Sequence, residues 1–396
     1  MSQAIPALAK VLYRLSTDDD KHRLRGVDYT MLSAINTCPT WGILRYMMGK
    51  QLPQTSRAMA LELGGAMHEA FAAVRLAQLW WQGNKEHALA HTPRLFKDED
   101  RIANVLEMFG GGGYDEFQDL AQEIGMYALH SSGFEDDPYD KRRTLSNAEV
   151  ALLHYIDWWP HDRHRVWIAH ADQPQGMIGI ENVIDIVITY QFEFNTRRAC
   201  DQFLVILQEH QHHAKVIRAQ RMDYVVLVDV RYIGRVDGLH EYPNQGLLLH
   251  ENKTGARLTD AWEQSFEISH QPTGYCIGMS LASGRDVSSG RIVGLQIPLP
   301  VNVVDGIRDV PINRTHDAVQ QWLVWVWSSM EIYWRYCVDP IHAPKYTHSC
   351  NRYFRTCSML PFCVADNEEK AVILGEMEDA MWSPLAQGNQ GAGDDG

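Results

Sequence analysis

Residues 234–255 read GRVDGLHEYPNQGLLLHENKTG. Two apolar, β-branched runs, 223–241 and 245–255, flank the Tyr-Pro-Asn-Gln-Gly segment 242–246, which predicts two strands joined by a turn. Asp237 falls near the end of the first strand and Glu251-Asn252-Lys253 near the end of the second. Strand side chains alternate faces, so Glu251 and Lys253 point one way and Asn252 the other. A hairpin of this length brings Asp237 beside them, so two carboxylates and an amine converge on one patch of sheet. Phosphodiester hydrolysis needs such a patch: carboxylates hold a divalent cation, and an amine orients or helps deprotonate the attacking water. Taken alone, the D…ExK pattern is short and common, and more often marks a surface ion pair beside a turn.

Outward from the hairpin, the chain alternates helical and extended signals. Residues 27–48 open a helix that Ser33 is expected to cap. ALELGGAMHEAFAAVRLAQLWW, about 58–82, is strongly helical and carries His68, a possible metal ligand, although a lone helix histidine is more often structural. Residues 84–170 read as a mainly polar helical insertion, broken by the glycine run 110–113 and Pro138, with a small core of its own around Tyr155, Trp158, Trp159 and Trp167. Extended runs follow at 177–194 and 291–301, and helices at 196–219, 259–282 and 315–337. Within the 259–282 helix, Gln271 and Tyr275 stand at i and i+4, which places an amide and a phenol on one face unless Pro272 bends it. His210, His212 and His213 read as a solvated helix face. The Trp-rich run 322–334 reads as core, one ring of which could stack a base. No internal repeat and no G-x-x-x-x-G-K-[ST] motor loop is present.

In chain order, G-x-x-x-H (64–68), G-R-V-D-G (234–238), E-x-K-T (251–254) and Q-x-x-x-Y (271–275) resemble the RecB-type branch of the PD-(D/E)XK nucleases. The resemblance implies an α/β, restriction-endonuclease-like mixed sheet flanked by helices. It implies that His68, Asp237 and Glu251, with the backbone carbonyl of residue 252, bind Mg²⁺ or Mn²⁺, and that Lys253 is catalytic with support from Gln271 and Tyr275. Two departures stand out: the long gap between His68 and Asp237, and Glu251 where the family often has Asp. The activity implied is metal-dependent deoxyribonuclease action, as an exonuclease on single strands or DNA ends, alongside a helicase or recombination partner. A catalytically silent DNA-binding scaffold is the alternative.

Seven cysteines are present, three of them (Cys350, Cys357, Cys363) inside YTHSCNRYFRTCSMLPFC, with Cys38 far upstream in INTCPTWGILRY. Thiolates are the usual ligands of iron–sulfur clusters, and zinc more often uses paired C-x-x-C knuckles, which are absent here. Cys337 is an alternative to Cys350, while Cys200 and Cys276 read as buried thiols. The one-plus-three arrangement and the S-x-x-x-x-C-P phrase at 33–39 are similar to the iron–sulfur subset of the RecB-type family. That resemblance implies a [4Fe–4S] cluster on Cys38, Cys350, Cys357 and Cys363, clamping the two ends of the chain together.

The 396 residues are 45% apolar and 22% charged, ordinary for a globular protein, and long enough for one core with an insertion. The expected divisions are an N-terminal helical segment (1–83), the insertion (84–170), the nuclease core (171–337), a cysteine-rich clamp (338–385) and a disordered tail (386–396). With 50 acidic against 36 basic residues the net charge is −14, which argues against coating DNA non-specifically but not against a narrow basic channel. No signal-like leader and no run of 18 apolar residues occurs, so no membrane partner and a cytoplasmic, reducing compartment are expected.

Overall fold

The computed structural model describes residues 8–52, 59–96, 99–109, 114–159, 165–169, 177–242, 246–337, 339–352, 355–380, 382 and 385. The glycine run 110–113, the turn centre 243–245 and the tail 386–396 lie outside the described residues, as do the side chains of His210, His212 and His213.

The architecture is α/β. An eight-stranded mixed sheet runs in the order Leu8–Leu15, Ile180–Glu193, Val225–Tyr242, Gly246–Gly255, Ser289–Gln296, Ile307–Asn313. The short strands Arg165–Val166 and Ile217–Met222 also pair with Val225–Tyr242. Every pairing is antiparallel except that of Gly246–Gly255 with Ser289–Gln296. That parallel pair is joined through helices Asp260–Gln264 and His270–Ser283, as parallel neighbours require a crossover.

Both faces of the sheet are covered. On the strand Ser289–Gln296, Ile292 enters one apolar cluster while Val293 and Leu295 enter another, the period-two signature of a strand buried on two sides. The first cluster gathers Ile184, Ile186, Ile188, Tyr190 and Phe192 with the helices Tyr29–Thr37, His270–Ser283 and His316–Tyr336. The second is built on the long helix Met59–Trp81. Helices Lys85–Leu95, Glu99–Met108, Tyr114–Ser131 and Leu145–Trp158 share that core with it. The expected insertion is therefore helical, but its apolar residues close over the long helix and the sheet, and Trp167 belongs to the other cluster.

Several local expectations are corrected. Asp28, not Ser33, caps Tyr29–Thr37, accepting the Met31 N–H; Ser33 sits inside the helix. The helix expected over 196–219 stops at Ala214, and Ile217–Met222 is a strand. The 259–282 helix is two helices, and the strand expected to reach 301 ends at Gln296. The strand bearing Asp237 continues past it to Tyr242. No helix among the described residues is long and apolar enough to cross a membrane.

The chain's two ends are tied together. Thr40 Oγ1 donates to the carbonyls of Ala343 and Pro344, each at 3.0 Å, and Arg45 donates to Ala380 O at 2.7 Å. Lys50–Gln51 pairs with Glu378–Asp379 as a two-stranded sheet. Leu44, Met359, Phe362 and Met377 form a small third core between them.

Candidate active site

The two glycines of G-R-V-D-G make room for the residues around Asp237. A Cβ on Gly234 would lie 2.7 Å from the Tyr275 ring, and one on Gly238 would lie 3.1 Å from the Arg75 guanidinium. Their absence lets a ring from one face and a cation from the other approach the strand. Asp237 itself is buried and held on three sides. Its Oδ1 lies 3.0 Å from His68 Nδ1, its Oδ2 accepts the Asn252 N–H at 2.7 Å, and its main-chain oxygen accepts from Arg75. His68 and Arg75 are two turns apart on one helix, so a single rigid element fixes both the side chain and the backbone of Asp237.

Glu181 was not singled out by sequence, and it completes this centre. Ile180 pairs with Gly238 and Asn182 with Val236, so Glu181 stands across from Asp237. Its φ of 46° is left-handed, a conformation non-glycine residues adopt at a cost and often at functional sites. Among the described residues, ligand atoms of His68, Glu181 and Asp237 lie within 4.8 Å of one another, close enough to share one cation. The expected third ligand, Glu251, is outside this trio. It pairs instead with Lys253, Oε1 to Nζ 2.6 Å, and its buried Oε2 meets no hydrogen-bond partner among the described residues.

The alternation read from sequence holds: Asn252 faces away from Glu251 and Lys253. Its Oδ1 accepts from Tyr155 OH at 3.3 Å and lies 3.1 Å from His250 Nε2. Gln271 and Tyr275 share a helical face, Gln271 Nε2 donating to Tyr275 OH at 3.0 Å. Pro272 lies in the helix's first turn, where its missing N–H costs no bond.

The charges divide unequally. Burial pushes Glu181 up to about 8, helped by repulsion from Asp237. For Asp237 burial acts in the same direction but is outweighed by His68, Lys253 and Arg75, which hold it at about 2. Burial and Asp237 raise Glu251 as well. His68 and Lys253 lose stability as cations by burial, yet the surrounding carboxylates carry both above their ordinary values. The centre thus has more anionic groups than it can ionise together.

Of the cysteines, Cys38 is buried at the start of Pro39–Gly42, and the Cys357 N–H donates to Cys350 O at 2.8 Å. Burial pushes the Cys363 thiol up to about 11, with Cys38, Cys357 and Cys350 adding to the rise. Cys357 is raised by burial and by Cys38 and Cys350. Among the described residues these thiols do not form a ligand group like that of His68, Glu181 and Asp237. Cys337 instead directs its thiol to Trp334 O, and burial pushes Cys276 up to about 12.

No protein-family model matches the chain, and no curated protein matches it.

Proposed function

We propose that the chain is a metal-dependent deoxyribonuclease of the RecB type. The observation that carries the reading is the convergence of His68, Glu181 and Asp237 beside the Glu251–Lys253 pair, with one Glu251 oxygen unmatched. An imidazole and two carboxylates suit Mg²⁺ or Mn²⁺, and such an ion would offset the burial and the repulsion from Asp237 that keep Glu181 protonated. When bound, the ion neutralises phosphate charge and makes water more acidic. Asp237, ionised and fixed by His68, Asn252 N–H and Arg75, is the stable anchor for the ion. Glu251 faces the site from the neighbouring strand and holds the Lys253 ammonium. Because the surrounding carboxylates keep Lys253 protonated, it orients water and phosphate by donating hydrogen bonds rather than acting first as a base. Gln271 and Tyr275 supply an amide and a phenol beside the carboxylates for substrate contact.

Cys38, Cys350, Cys357 and Cys363 would hold an iron–sulfur cluster as a structural staple. The hydrogen-bonded tie between the segment after Cys38 and the segments around the other three cysteines is what supports that assignment. The substrate class follows the family resemblance: single-stranded DNA or DNA ends. The test is to incubate anaerobically purified protein with labelled DNA and RNA, with Mn²⁺, Mg²⁺ or chelator. Ion-dependent DNA cleavage that Asp237→Asn removes is expected. DNA binding without turnover in any ion would instead make the chain a silent scaffold.

A further inference from the structure

Three half-buried aromatic rings from three separate helices meet beside this site. His270, the first residue of His270–Ser283, stacks on Trp325 of His316–Tyr336, with centroids 4.7 Å apart and planes 25° apart. On Trp325 also leans Tyr29, the first residue of Tyr29–Thr37, at 5.8 Å and 34°. None of the three is fully buried, although Trp322, Trp327 and Trp334 on the same helix are. His270 is adjacent in sequence to Gln271, whose amide donates to the Tyr275 hydroxyl at 3.0 Å. The stack thus adjoins the start of the helix that carries Gln271 and Tyr275. His270 also lacks charge at neutral pH, since burial and Arg314 both lower its pKa, so its ring offers a neutral π-face.

We infer that Tyr29, Trp325 and His270 form a nucleobase-stacking ledge that receives an unpaired base of the substrate strand next to the scissile phosphate. The inference rests on the nuclease reading and deepens it, because a stacked base must be free of its partner strand. With a net charge of −14, stacking gives the chain a source of affinity beside any local basic channel. Aromatic stacking is tolerant of sequence, because every base has a π-face, and adds to whatever the phosphate contacts supply.

The test compares an all-thymidine single strand with an equally long strand of abasic residues, which keeps the phosphates and removes the bases. Binding is measured with Ca²⁺ in place of Mn²⁺ to prevent turnover, and cleavage with Mn²⁺. Wild type should favour the base-bearing strand by roughly ten-fold or more. Trp325→Ala should bind both strands alike and raise KM more than it lowers kcat, and Trp325→Phe should restore most of the preference. If Trp325→Ala does not fold, His270→Ala carries the test, with a partial loss of preference expected. A wild type indifferent to the bases, or a folded variant that keeps the full preference, overturns the ledge while leaving the nuclease reading intact. A wild type that neither binds nor cuts either strand overturns both.

Discussion

Replacing Glu181 by Gln separates the role of the residue that sequence did not expose. At pH 7 a carboxyl with a pKa of about 8 is about nine-tenths protonated. A cation that takes the carboxylate form must expel that proton, so Mn²⁺ binding to the wild type should release close to one proton from Glu181. Partly protonated His68, whose value is also raised, adds to this. Calorimetric titration with Mn²⁺ in two buffers of different ionisation enthalpy counts the protons directly. Glu181→Gln should release about 0.9 fewer per ion at pH 7. Wild-type affinity should rise nearly ten-fold per pH unit up to about pH 8, and the variant's more gently. In the absence of ions the sign reverses: the folded chain keeps a proton that the unfolded chain releases above about pH 4.5, so this group's contribution to stability falls as pH rises through about 8. Equal proton release from both proteins would refute a metal-facing, protonated Glu181.

Asp28, buried as the cap of Tyr29–Thr37 and accepting from Trp382, is pushed by burial to about 6. Its raised value favours folding below the unfolded pKa and is lost as pH rises through about 6, so wild type should lose about 3 kcal/mol relative to Asp28→Asn between pH 3 and 7, read by urea denaturation. Arg75→Met removes a charged donor from the Asp237 carbonyl and should lower stability by about 2 kcal/mol and weaken Mn²⁺ binding, with Arg75→Lys intermediate. Unchanged Mn²⁺ affinity in a folded Arg75→Met would show that the guanidinium serves packing alone. Anaerobically purified wild type should carry about four irons with acid-labile sulfide per chain, and Cys38→Ser should lose them and melt earlier. Stoichiometric zinc in place of iron would contradict the cluster.

What could be read from sequence was what local pattern fixes. Asp237, Glu251 and Lys253 lie within one hairpin, so alternation alone predicted their shared face, and the structure brings Lys253 to Glu251 and the Asn252 N–H to Asp237. The i, i+4 pairing of Gln271 with Tyr275 was legible for the same reason. Glu181 was not, because it begins a β-branched run and reaches the centre only through cross-strand register and a left-handed backbone. An acid directly after Gly179-Ile180 at the head of an apolar strand was the available signal. The edge strand Leu8–Leu15 escaped because it is largely exposed on both faces and carries no period. The break between Gln264 and His270 has no Gly or Pro to mark it. Arg75 looked like one more residue of an amphipathic helix; only the fold shows its guanidinium buried against the Asp237 carbonyl.

The most direct test of the nuclease account is single-turnover cleavage of labelled single-stranded DNA with saturating Mn²⁺ by wild type and Lys253→Met. The variant should still bind Mn²⁺ and DNA but cleave about 10²- to 10⁴-fold more slowly. Cleavage at the wild-type rate by Lys253→Met, with the same dependence on the ion, would contradict the nuclease account.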